Sequence, residues 1–273
     1  MSDIMPTVPF GPHRISRLIA GSNTLNGGSH LSRFVNMQMK SYFTPPVVQQ
    51  FLSKCEAERI DTWQGGPGNL DALDEFRSGG GTMRFISLAH DQGDSRPDLE
   101  DLARRGTVAV AFHGEVTDRL FKEGRIDEAL KFLSKIRNAG MLAGVSTHMP
   151  DVVDYIESKN WQPDFYMTCV YERHRTRKEL KGLLGRVPMP LNEVYLEEDP
   201  VRMWRAMRDT DKPCLAFKIL AAGRVCDEQE DVEAAFKTTF ANIKHTDAVI
   251  VGMYPEYEDQ VALNAAYVRR FGA

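Results

Sequence analysis

The sequence contains no apolar run near the ~18 to 20 residues needed to cross a bilayer, and it does not open on a charged-then-apolar leader. Cysteine is scarce. Cys55, Cys169, Cys214 and Cys226 stand far apart with no CxxC pair, which argues against a disulfide framework and leads us to expect a reducing, cytoplasmic setting. A strong charge of one sign is also missing. The formal net charge of −4 offers a polyanion no long-range attraction, so the expected partner is a small-molecule substrate, with no nucleic acid and no membrane. A homo-oligomer is left open. No Pro/Ser/Gly-rich linker divides the 273 residues, so 1–273 is expected to form one domain. The GxGxxG turn of a dinucleotide-binding open sheet is absent as well, because Gly21 is followed by SNTLNGG.

What is present is an alternation of short apolar runs with longer amphipathic segments, the pattern of repeated βα units. Strands are expected near Leu18 to Gly21, Ile60 to Thr62, Arg84 to Leu88, Val108 to Phe112, Leu142 to Ser146, Phe165 to Thr168, Cys214 to Lys218 and Ala248 to Val251. Eight such strands predict an α/β fold closed into a (β/α)8 TIM barrel. The clearest helix runs from Ile126 to Ala139, where Ile126, Ala129, Leu130, Leu133 and Ile136 recur at helical spacing before Gly140. Others are expected to start at Pro45, Pro97, Asp151 and Pro200, and the last covers Asp259 to Arg270. Two connections, 22–44 and 171–199, are too long for plain turns and are expected over the carboxyl-terminal face of the barrel. There they serve either as lids over a pocket or as surface excursions with small apolar clusters of their own.

In such a barrel the chemistry sits at the strand ends, and these ends are unusually polar. They deliver Asp61 and Gln64, His90 and Asp91, His113 and Glu115, Ser146 and His148, Tyr171 and Glu172, and Lys218. Each has a plain alternative. Asp61 caps a turn or takes part in chemistry; His113, after the apolar VAVAF, is a satisfied core histidine or a ligand or proton carrier; His148 packs at a helix entry or faces the pocket. Glu172 neutralises Arg173 or Arg175, or serves as a ligand. Lys218 interrupts an apolar strand, so a buried anion partner is expected for it. Its roles would be to orient a substrate oxygen or to form a Schiff base. Two imidazoles and a carboxylate drawn from His113, His148, Glu115 and Glu172 suit Zn2+, Mn2+ or Fe2+.

From Phe10 to Arg270 the chain also resembles the aldo/keto reductase superfamily, through short matches in order: FGPHRISRLIAGSN, AERIDTWQGG, RNAGMLAGVSTH, LAFKILAAGR and VIVGMYPEYEDQVALNAAYV. The resemblance implies a reductase-like barrel that reduces carbonyls with NADPH through an aspartate, a tyrosine, a lysine and a histidine. Asp61 matches the aspartate and His113 the histidine, while Gly66 stands in the tyrosine's place and Leu88 in the lysine's. Among cofactor contacts, Ser146 and Asn264 match, whereas Thr147 replaces an asparagine and Gln260 an arginine. With the acid and the phosphate clamp gone, the expectation is a non-redox lyase, hydrolase or isomerase of a small carbohydrate-like or carbonyl compound. That reading includes a divalent metal and uses Asp61, His113 and Lys218. The alternative is a divergent NADP-dependent reductase that recruits Lys218 or Tyr171 as proton donor. A catalytically silent binding barrel ranks last, given how many titratable groups converge.

Overall fold

A computed structural model describes residues 4–91, 96–189 and 193–273. Eight parallel strands close into a barrel: β3 (Leu18–Gly21), β4 (Thr62–Gly65), β5 (Arg84–Ala89), β6 (Thr107–Phe112), β7 (Leu142–Thr147), β8 (Phe165–Cys169), β9 (Cys214–Phe217) and β10 (Ala248–Gly252), with β10 pairing back onto β3. This is a (β/α)8 TIM barrel. Before it comes an antiparallel hairpin, β1 (Thr7–Phe10) and β2 (His13–Ser16), which the sequence reading does not anticipate. Its buried Val8, Phe10 and Ile15 join the inward residues Ile19, Ile86, Ala109, Phe165 and Leu215 in one cluster and so plug the amino end of the barrel. Phe10 meets Phe165 edge-on at 4.9 Å. Burying a side chain of this size contributes about 1.5 to 3 kcal/mol. Gly144 makes the room, since a Cβ there would lie 2.4 Å from the Phe165 ring.

A second apolar layer joins the outer faces of the strands to the helices. Helices α1 (Arg33–Tyr42) and α2 (Pro45–Ala57) follow β3; α3 (Leu70–Ser78) follows β4; α4 (Leu99–Arg104) follows β5. After β6 come α5 (Gly114–Lys122) and α6 (Glu128–Asn138), then α7 (Pro150–Ser158) after β7, α8 (Arg177–Leu184) and α9 (Asp199–Asp209) after β8, α10 (Gln229–Asn242) after β9 and α11 (Gln260–Phe271) after β10. The start signals act much as the sequence suggests. Pro45 opens α2, Pro200 lies in the first turn of α9, and Asp259 caps α11 by accepting from the Ala262 N–H at 3.1 Å. Pro97 does not open α4, because Asp98 is the cap, accepting from the Asp101 N–H at 2.9 Å. The connection 22–44 holds α1, and 171–199 holds α8, whose Thr176 and Glu179 form a capping box. Residues 190–192 of the latter lie outside the described residues.

One register correction matters for function. The second barrel strand runs from Thr62, not from Ile60, so Asp61 stands at its entry, on the amino-terminal face. There it accepts from the Ser16 N–H at 2.8 Å and from Thr62 Oγ1 at 2.8 Å, and it pairs with Arg84 at 2.9 Å. Asp61 fastens the hairpin to the barrel floor and is removed from the candidate site. Gln64, three residues on, is the strand-end residue instead. All four cysteines are free thiols. No helix among the described residues is long and apolar enough to cross a membrane.

Candidate functional site

A cavity of about 600 Å³ opens at the carboxyl ends of the strands. The connection after β3 walls one side with Asn23, Thr24, His30 and Met39, and residues from the ends of β4, β6, β7, β9 and β10 form its floor. His113, Glu115, Ser146, His148, Arg173, Lys218 and Asn264 all line it. Tyr171 and Glu172 do not. Tyr171 packs on Tyr195, with ring centroids 5.4 Å apart, and burial followed by the Asp199 charge raises its phenol. Glu172 is taken up by Arg175 at 3.4 Å and Arg202 at 2.5 Å, so its carboxylate is committed to a largely buried ion network outside the cavity.

The centre of the site is a group that sequence reasoning found only in part. Asp118 projects from the buried face of α5 toward the end of β7. Thr147 Oγ1 donates to its Oδ1 at 2.5 Å, and the His148 N–H and Nδ1 reach its Oδ2 at 3.1 and 2.7 Å. His174, from the connection after β8, places Nε2 3.5 Å from the same oxygen and crosses the His148 ring edge-on at 4.7 Å. Three consecutive βα units thus deliver a carboxylate and two imidazoles whose ligand atoms lie within 4.8 Å of one another. The cluster is geometrically compatible with a divalent metal ion.

Burial shifts the titration of all three groups. Burial is the first cause in each: it pushes the Asp118 carboxyl up to about 6, lowers His148 well below the ordinary imidazole value and, with the His148 charge next, lowers His174 to about 4. Both shifts favour the neutral imidazole, the form that binds a metal. His174 Nε2 is buried without a hydrogen-bond partner. An orphaned nitrogen of this kind costs about 1 to 3 kcal/mol unless something fills the position.

Of the four ligands the sequence suggested, the structure brings only His148 into this cluster. His113 is the N-cap of α5, its Nδ1 accepting from the Glu115 N–H at 3.3 Å, which explains locally why a histidine ends an apolar strand. Its ring still faces the cavity, and burial lowers its pKa. Glu115 pairs with Arg173 at 3.3 Å; burial would raise its carboxyl, but Arg173 and the neighbouring histidines bring it below the usual range. Arg173 also pairs with Glu193 at 3.2 Å, and Glu193 meets His30 at 3.2 Å. Two of the central residues escaped the sequence reading for different reasons. Asp118 is a charge on the inward face of an amphipathic helix, which is a readable signal, whereas His174 lies inside a basic run that looks like solvated surface.

Lys218 stands one residue beyond β9 with φ +59°, a left-handed conformation shared nearby by Ala221 and Ala222. For a side-chain-bearing residue this costs on the order of 1 kcal/mol or more, and such backbone is retained mostly where a site requires it. The side chain lines the cavity, and burial, countered in part by Cys169, lowers its pKa. The buried anion partner expected from the sequence is not there: Lys218 makes no ion pair among the described residues.

No family model matches the chain, and no curated protein matches it by sequence. Among solved structures it is similar to a truncated form of 3-deoxy-D-arabino-heptulosonate 7-phosphate synthase from Thermotoga maritima, at 13% identity and TM-score 0.55 over 97% of this chain and 90% of that one. It is also similar to a glycerol dehydrogenase from Gluconobacter oxydans, at 11% identity and TM-score 0.53 over 99% and 97%. A third is 3-hexulose-6-phosphate synthase from Salmonella typhimurium, at 15% identity and TM-score 0.50 over 93% and 97%. At these identities the likeness is one of fold. It establishes a TIM barrel of a kind found in diverse enzymes, an aldo/keto reductase-like barrel included, and singles out no family.

Proposed function

We propose that the chain is one catalytic barrel domain, walled by 22–44 and 171–199, and that it is a non-redox enzyme: a lyase, hydrolase or isomerase of a small carbonyl or carbohydrate-like compound. Its centre is a divalent cation, Zn2+, Mn2+ or Fe2+, held by Asp118, His148 and His174. The observation that carries this reading is the orphaned His174 Nε2, buried 3.5 Å from a carboxylate that already orients a second neutral imidazole. A bound cation gives that nitrogen its partner and, as a Lewis acid, polarises a substrate oxygen. Thr147 and the His148 N–H hold Asp118 in place, so the ligands are braced as well as present. His113 faces the same cavity with its Nδ1 accepting from the Glu115 N–H, which fixes the ring proton on Nε2 and leaves that N–H to donate a hydrogen bond to a substrate oxygen.

The alternative, a divergent NADP-dependent reductase, is favoured by Ser146 and Asn264, which line the same cavity. Elemental analysis of the purified protein beside an NADPH fluorescence titration separates the two. We expect about one divalent ion per chain, lost in both His148→Ala and His174→Ala, with weak or no NADPH binding. Each kcal/mol of stability moves the melting point of a chain this size by about 2 to 4 °C, and the His174→Ala shift is expected to be no larger. A metal-free wild type that fails to take up Zn2+, Mn2+ or Fe2+ sinks the centre, and saturable micromolar NADPH binding promotes the reductase.

A further inference from the structure

The charged groups around this part of the cavity balance in number, Arg173 and Lys218 against Glu115 and Glu193, but not in pairing. Arg173 is held between Glu115 at 3.3 Å and Glu193 at 3.2 Å, and Glu193 is further occupied by His30 at 3.2 Å and the Tyr195 hydroxyl at 3.1 Å. Both carboxylates that face Lys218 are thus committed to other partners. Lys218 itself is partly buried, lines the cavity floor and has neither an ion pair nor a side-chain hydrogen bond among the described residues. A left-handed backbone at φ +59° sets the direction in which its side chain leaves the strand end. Its Nζ lies over the Phe217 ring, 5.9 Å from the centroid, a weak contact that supplies no counter-ion, and a long cationic side chain so placed would ordinarily extend toward water. Here it stays in a concave, water-restricted site beside His148 and Arg173, where an anion would interact with it far more strongly than in bulk solvent.

We propose that Lys218 is the anion-binding residue of the cavity, and that the substrate carries a carboxylate or phosphate group which Lys218 holds while the remainder lies against the Asp118, His148 and His174 cluster. This rests on the reading of the cavity as a substrate site but not on the metal. It also assigns the lysine to positioning rather than to Schiff-base chemistry. An ammonium serves either carboxylate or phosphate as a point charge, and a guanidinium can replace it in that role but cannot form an imine.

The full-length protein, stripped with a chelator and dialysed free of it, is titrated with inorganic phosphate and separately with malonate, followed by calorimetry and thermal shift. The metal-replete protein is run in parallel. Saturable binding of at least one anion is expected in both forms. Lys218→Met weakens it about tenfold to a hundredfold, and Lys218→Arg restores most of it. Binding of phosphate alone identifies a phosphorylated substrate; binding of malonate alone identifies a carboxylate. No saturable binding of either anion, or equal binding by Lys218→Met, overturns the proposal. So does a cyanoborohydride-trapped pyruvate adduct located on Lys218 by peptide mass spectrometry, because the lysine would then be covalent machinery. Loss of anion binding with the metal retained, or the reverse, shows which of the two readings has failed.

Discussion

At the amino end of the barrel, Arg17 donates to the backbone carbonyls of Asp247, Gly272 and Lys244 at 2.7 to 2.8 Å. There too, the buried Asp247 carboxylate accepts from the Cys214 and Lys244 N–H groups and pairs with the Lys244 ammonium. At the carboxyl end, among the described residues, His174 Nε2 and Arg173 Nε are buried without hydrogen-bond partners, and Lys218 has no counter-ion. Arg17 and Asp247 are buried and His174, Arg173 and Lys218 only partly so, yet the His174 Nε2 and Arg173 Nε atoms are themselves shut off from solvent. Thr107 Oγ1, at the entry of β6, and Arg269 Nε, on the arginine that pairs with Glu58, are also buried without partners, but at the amino end the Arg17 and Asp247 network is closed by mutual satisfaction and holds the chain together. The other keeps unmet capacity in a cavity, an arrangement that costs stability and is useful only if something else binds there.

The largest effect that tests this contrast belongs to the closed end. Arg17→Met leaves two buried carbonyls and one part-buried carbonyl short of a charged donor and removes the guanidinium lying 4.8 Å over the Phe240 ring. We expect a loss of about 3 to 5 kcal/mol by chemical denaturation, with metal content per folded molecule unchanged. A variant as stable as the parent would mean that the floor network is not the staple described.

A smaller effect is expected from His113→Ala. The ring caps α5 from the cavity side, so its loss costs about 1 kcal/mol, typical of a removed N-cap. Because His113 lies outside the Asp118, His148 and His174 cluster, the variant should keep its divalent ion while turnover falls. Elemental analysis and a melting curve decide the matter. Loss of the ion would place His113 among the ligands after all.

The sequence conveyed the barrel because its evidence is repeated: eight apolar runs separated by amphipathic helices leave few other closed arrangements. It missed the hairpin, where the turn at Gly11, φ +56°, and Pro12 separates two strands of only four residues each. The cavity lining was legible where a polar residue interrupts an apolar strand end, as with His113, His148 and Lys218. Partners fixed only by tertiary approach were not legible, because Asp118 and His174 lie 30 and 26 residues from His148 and meet it through the packing of α5 and of the connection after β8 onto β7.

The smallest effect is the most pointed, because it concerns a residue whose spacing invites a catalytic reading. Asp61 stands in a DT step that resembles a reductase's catalytic aspartate, yet a strand beginning two residues later than expected puts it on the floor of the barrel. Its pair with Arg84 is about one-third exposed on both sides, so solvent screens the charge and the pair contributes at most about 1 kcal/mol. Asp61→Asn keeps an oxygen able to accept from the Ser16 N–H and Thr62 Oγ1 while removing the charge. The expected result is a melting point lowered by only a few degrees, with metal content and anion affinity both unchanged. Were Asp61→Asn to lose turnover without losing stability, the division between a structural floor and a chemical mouth would be wrong at that position.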